Sequence, residues 1–116
     1  MNVRDIQVRE FEDTKTYFPD APTDVAFLAT ALAGEVGETC NIIKKHLRGD
    51  FIEEGTATAL TESQKLMFKL HDELPDILIY LVMLATAAGV DLERAYEDKK
   101  RINDERFGHP RKSATV

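Results

Sequence analysis

Glu73-Leu74-Pro75-Asp76, followed at once by Ile77-Leu78-Ile79-Tyr80-Leu81-Val82-Met83-Leu84-Ala85, is the stretch that decides the fold of this 116-residue chain. Carboxylates three residues apart share one face of a helix, and the nine apolar residues behind them go round its whole circumference. A helix apolar on every side is expected to be buried on nearly all of them, so an acid pair stands at the mouth of a core. A second pair lies upstream in Gly34-Glu35-Val36-Gly37-Glu38, again at i and i+3 and again behind an apolar run, residues 25–33. Two helices built this way can face each other and present four carboxylates to one small volume. That arrangement calls for a cation.

Outward from these segments the chain reads as helices separated by breaks. Residues 2–16 form a helix with Val3, Ile6 and Phe11 as apolar contacts and Asn2 as N-cap. Residues 17–22 carry two prolines and no helical period, so they form a loop, and Tyr17 and Phe18 within it pack either on the core or on a planar ligand. Thr23 or Asp24 caps a long helix that ends near Arg48, with Gly49 just past its end. Gly34 and Gly37 inside it each cost about 1 kcal/mol relative to alanine; close approach of a neighbouring helix or of a ligand is the compensation to expect. Residues 49–60 lose the period and read either as an ordinary surface connection or as a segment that closes over a ligand.

Thr61-Glu62-Ser63-Gln64 fits a capping box, and the helix it starts should run through Pro75 to about Ala88 and stop at Gly89. Pro75 withholds a hydrogen bond from the carbonyl of His71, which predicts a bend beside the acids; if the helix breaks there instead, Asp72 caps a new one with Pro75 in its first turn. Asp91 caps a last helix that ends at Arg106, and residues 108–116 are a frayed tail. The total is an all-α bundle of four to five helices, with residues 1–107 as one catalytic domain.

Composition narrows the function. With 15 basic and 21 acidic residues and a net charge of −6, the chain has no general basic field for nucleic acid or an anionic membrane. The single cysteine, Cys40, has no internal partner, and the charged first eighteen residues do not resemble a secretion signal. The longest uncharged run, residues 77–90, is short of the ~20 residues of a membrane span. A cytoplasmic enzyme that binds neither nucleic acid nor membrane is the expectation, and a core this small gains from association with a copy of itself.

The acids point to a metal. One Glu-x-x-Glu on a helix is usually a solvated face, but two pairs that each abut an apolar run are not easily explained so. Four ionised carboxylates in one place repel unless a divalent ion offsets them, and oxygen-only ligands select Mg²⁺ or Mn²⁺ over zinc. A di-iron centre would need Glu-x-x-His twice, and the residues three before His46, His71 and His109 are Ile43, Phe68 and Arg106. A carboxylate-bound Mg²⁺ that keeps waters most often serves phosphate chemistry, with any carboxylate off the metal available as base. No glycine-rich phosphate loop and no nucleophile motif is present. In the last helix Leu92, Ala95, Tyr96, Ile102 and Asn103 make an inner stripe with Lys99 in its middle. Lys99, Asn103 and Arg106 form either a row of donors for phosphate oxygens or a solvated basic face.

Taken together, Gly34-Glu35-Val36-Gly37-Glu38 after Ala31-Leu32-Ala33, Glu73-Leu74-Pro75-Asp76 with its apolar run, Val90-Asp91-Leu92, and Lys99, Asn103, Arg106 and Phe107 resemble the MazG-like all-α nucleoside triphosphate pyrophosphohydrolases. The resemblance covers residues 27–107. It implies a compact helical fold assembled as a homodimer or homotetramer, which cleaves a nucleoside triphosphate between the α and β phosphates with Mg²⁺ to give a monophosphate and pyrophosphate. By position, the resemblance implies Glu35, Glu38, Glu73 and Asp76 as the catalytic metal ligands, with one of them orienting the water, and Lys99, Asn103 and Arg106 facing the phosphates. Many members carry a further acid where this chain has Gly34; the glycine form resembles the branch that acts on deoxycytidine triphosphate and its modified relatives. Pro75 stands where alanine or serine is usual. Two other readings compete: a related hydrolase of dUTP or of a phosphoribosyl-nucleotide, and a non-catalytic helical dimer that serves as an interaction module.

Overall fold

A computed structural model of the protein describes residues 1–49 and 61–108. They form four helices: α1 (Val3–Tyr17), α2 (Val25–Leu47), α3 (Glu62–Ala87) and α4 (Leu92–Arg106). Of the expected connection at residues 49–60 and the expected tail at residues 108–116, all but Gly49 and Gly108 lie outside the described residues.

Each helix begins at a side chain that satisfies its free amides. Asn2 and Asp5 exchange hydrogen bonds at 2.8 and 3.1 Å as a capping box, and the Asp24 carboxylate accepts from the Phe27 amide at 2.8 Å. The Thr61 hydroxyl accepts from the Gln64 amide at 3.2 Å while Gln64 accepts from the Thr61 amide at 3.0 Å. Asp91 accepts from the Arg94 amide at 3.2 Å. The oxygens replace the partners that a first helical turn lacks. At the end of α3, Gly89 adopts φ 73°, and the amides of Gly89 and Val90 donate back to Thr86 and Ala85 at 3.1 and 2.8 Å. This double closure needs a left-handed residue, which glycine supplies without a Cβ clash.

Pro75 lies inside a single helix from Glu62 to Ala87. The chain therefore takes the continuous course rather than the break, and Asp72 does not start a new helix.

Helix α3 is the spine. Helix α2 makes the largest interface with it, α1 lies on it beside α2, and α4 packs on α1. Helix α1 runs antiparallel to α3: the Thr14 hydroxyl meets the Met83 sulfur at 3.9 Å, and the Gln7 amide donates to the Val90 carbonyl at 2.7 Å and accepts from the Leu92 amide at 3.2 Å. Arg4 adds ion pairs to Asp91 at 3.0 Å and Glu93 at 3.2 Å. The α3–α4 turn is thus tied to α1, and α4 leaves at 96° to α3.

The core is small. Among the described residues only Leu28, Val82 and Ala85 are buried apolar side chains, joined by the polar Thr39. Expectations of burial are corrected at two places. Leu78 and Leu81 on α3 are 40% and 37% exposed, because α1 and α2 together cover one side of α3 and leave the other open. The expected inner stripe of α4 is also largely outside: Tyr96 and Ile102 are more than half exposed, Lys99 is exposed, and α4 holds no buried residue. At Gly34 and Gly37 an added Cβ would meet nothing within 4 Å, so no neighbouring helix among the described residues compensates for them. No single helix among the described residues is long and apolar enough to cross a membrane.

Candidate metal centre and adjoining cleft

Helices α2 and α3 carry the acids to one point. One carboxylate oxygen from each of Glu35, Glu73 and Asp76 lies within 4.8 Å of the others. The i and i+3 spacing puts Glu73 and Asp76 on the face of α3 that meets α2, and Glu35 answers from α2. One turn further along α2, the buried Thr39 donates its hydroxyl to the Glu35 carbonyl at 2.9 Å. That bond keeps its polar group satisfied on the packed face and leaves the Glu35 carboxylate unengaged.

The Glu35 side chain is half-buried, and its Oε2 is shielded from solvent with no hydrogen-bond partner. Burial pushes its carboxyl up from the ordinary glutamate value, and the negative charges of Glu38, Asp76 and Glu73 push it the same way. A shielded carboxylate oxygen that lacks a donor and faces like charges is costly. A divalent cation answers the oxygen and the repulsion together. Three carboxylates from two helices fit a hard ion of the Mg²⁺ or Mn²⁺ kind, with room for water in its shell.

Glu38, one turn from Glu35, is exposed and stands outside the trio. Its charge still acts on Glu35. Of the four acids singled out in the sequence, three converge directly and the fourth sits beside them. Lys99, Asn103 and Arg106 do not join them within the chain. Asp76 lies eleven residues before the end of α3 and Lys99 seven residues into α4; with the helices near a right angle, the two backbones are about 20 Å apart.

Sequence reasoning missed a second feature on the same seam. A cleft of about 290 Å³ opens between α1, the α1–α2 loop and α3, lined by Phe11, Phe18, Leu28 and Met83 with Thr14 and Thr86 among its polar members. Leu28 and Met83 are each seven residues from an acid, Glu35 and Asp76 respectively. Seven residues are two turns, so the cleft lies about 10 Å along the seam from the carboxylates, and α2 and α3 must run antiparallel for both pairs to meet. The signal was available as that shared seven-residue offset. Phe18, read as packing or ligand-facing, lines the cleft while 66% exposed.

Among curated proteins the chain is similar to dCTP pyrophosphatase 1 of Homo sapiens, 38% identical over 80 residues that make up 69% of this chain and 44% of that protein. It is 35% identical to dCTP pyrophosphatase 1 of Rattus norvegicus over the same extent. The chain spans less than half the length of these relatives. No family model matches it.

Proposed function

We propose that this chain is a Mg²⁺-dependent nucleoside triphosphate pyrophosphohydrolase of the MazG-like kind, which converts a standard or modified nucleotide to its monophosphate and pyrophosphate and works as a homo-oligomer. The observation that carries the reading is the convergence of Glu35, Glu73 and Asp76 within 4.8 Å, in a chain similar to two proteins named for pyrophosphatase action on dCTP. That name favours a deoxycytidine nucleotide as the first substrate to try.

Glu35, Glu73 and Asp76 would hold the ion. When bound, Mg²⁺ supplies charge neutralisation of the polyphosphate and a lower pKa for the attacking water. Glu38, exposed and one turn away, is free of that duty and is suited to take the proton from the water that attacks phosphorus. The cleft two turns along the seam has aromatic walls and a volume near the lower end of small-molecule sites, and suits a base whose phosphates lie at the acids.

The self-association follows from the exposed apolar side chains. Val36, Ile43, Leu74, Leu78 and Leu81 on α2 and α3 are all 37% or more exposed, a surface that a second copy would cover.

The test is a panel of ribo- and deoxynucleoside triphosphates, with dUTP and phosphoribosyl-nucleotides included, assayed for pyrophosphate release with Mg²⁺ or Mn²⁺. Release from at least one triphosphate, abolished by chelation, is expected. No release from any of them, with no rise in melting temperature on adding Mg²⁺ and nucleotide, contradicts the proposal and favours the interaction module.

A further inference from the structure

We infer that a nucleoside triphosphate lies along the α2–α3 seam in one direction, with its base toward Leu28 and Met83 and its terminal phosphates toward the start of α3. There Lys69 binds the two phosphates that leave as pyrophosphate. The substrate class rests on the hydrolase reading above; the placement of charge along the seam stands on the chain alone.

The seam is polarised about its acids. On the cleft side, residues 25–34 of α2 and 77–87 of α3 include no charged side chain. Lys15, which lines the cleft from α1, is engaged over the Phe11 ring at 4.1 Å. On the other side of the acids, α2 carries Lys44 and Lys45 in its last turn and α3 carries Lys65 and Lys69 in its first two. Glu62 takes up Lys65 in an ion pair at 3.3 Å, and the Asp72 side chain stands in solvent, 86% exposed, beside His71. A nucleoside triphosphate is polarised in the same sense, uncharged at its base and most negative at its far phosphates. Matching the anionic end to the lysines and the neutral end to the uncharged stretch sets its direction.

Lys69 is the lysine placed to act. It precedes Glu73 by four residues and Asp76 by seven, so the three share one stripe of α3, with Lys69 about 6 Å along the axis from Glu73. Helical side chains tilt toward the N-terminus, which carries the exposed Lys69 ammonium away from the carboxylate trio rather than over it. An ammonium there misses the phosphorus attacked at the acids and meets the phosphates beyond it. Charge-assisted hydrogen bonds to those oxygens stabilise the leaving group as its negative charge grows. Lys44, nine residues from Glu35, lies on the opposite face of α2 and cannot join in.

Calorimetric titration of the full-length protein in Mg²⁺, with inorganic pyrophosphate or deoxycytidine monophosphate as probe, tests the assignment without turnover. Lys69→Ala should weaken pyrophosphate binding about tenfold, the loss of one hydrogen bond to a charged group, and leave monophosphate binding unchanged. Lys69→Arg should restore most of the loss. Lys44→Ala, which removes the same charge from the other face, should match wild type for both probes.

Equal pyrophosphate affinity in Lys69→Ala and wild type overturns the inference. So does a loss confined to the monophosphate, which is the signature of the reverse direction, or an equal loss in Lys44→Ala, which makes general charge sufficient. These results leave hydrolysis by the wild type untouched. Conversely, a wild type that releases no pyrophosphate from any triphosphate, yet binds the probe through Lys69, sinks the hydrolase reading and keeps the phosphate site. A wild type that binds neither probe overturns both.

Discussion

Glu35 on α2 and Asp76 on α3 hold carboxylate oxygens within 4.8 Å of each other across a seam of antiparallel helices, with Glu73 inside the same radius. Folding brings these charges together, since 41 residues separate the first two in the chain. The cost of that approach, and its relief by the proposed cation, set the expected behaviour of the protein.

Glu35→Gln should raise the melting temperature of the metal-free protein at neutral pH. The folded carboxyl is held above its unfolded value, by burial first and by Glu38, Asp76 and Glu73 after it. The folded chain therefore binds more protons than the unfolded one across that window, and its stability falls as pH rises from the ordinary glutamate value through the raised one. Below the window the penalty is absent, because both states are protonated. Melting curves across pH in chelator should show the slope in wild type and a flatter line in Glu35→Gln; identical profiles would count against the electrostatic account.

Glu38→Gln should separate binding from turnover. With Glu38 as the proposed proton acceptor outside the trio, its loss should lower kcat at least a hundredfold while leaving the Mg²⁺-induced rise in melting temperature in place. Asp76→Asn should lose both. A Glu38→Gln enzyme at full rate would remove it from the mechanism.

Phe18→Ala should raise KM for the nucleotide about tenfold, the effect of losing roughly 1–3 kcal/mol of base stacking, with kcat little changed. Steady-state kinetics with dCTP and one purine triphosphate would measure it. An unchanged KM would remove the cleft from the substrate site.

Leu28 and Leu78 should respond differently to substitution. Leu28 is 1% exposed, so Leu28→Ala should cost roughly 2–5 kcal/mol in chemical denaturation. Leu78 is 40% exposed, and Leu78→Asp should shift the protein toward monomer in light scattering while far-ultraviolet dichroism stays helical. A Leu78→Asp protein of unchanged mass would place the interface elsewhere.

What could be read from sequence follows how local each determinant is. Asn2, Asp24, Thr61 and Asp91 cap their own helices through bonds to residues three positions on, so the helix starts were legible. Glu73 and Asp76 share a face by periodicity alone, and facing Glu35 follows once two apolar helices pair. Pro75 was ambiguous because proline chemistry permits both a bent and a broken helix, and only packing along α3 chooses. The direction of α4 was not legible, since it depends on the Gly89 turn and on Arg4 and Gln7 reaching from the other end of the chain. The open face at Leu78 and Leu81 was missed for a related reason. Periodicity reports that a side chain is apolar, but not whether the surface covering it belongs to the same chain.

The most direct measurement is a crystal soaked in Mn²⁺ and recorded near the manganese absorption edge. The account predicts an anomalous difference peak among the carboxylates of Glu35, Glu73 and Asp76, absent in Asp76→Asn. Well-ordered crystals with those side chains turned to separate solvent, and no peak between them, would contradict it.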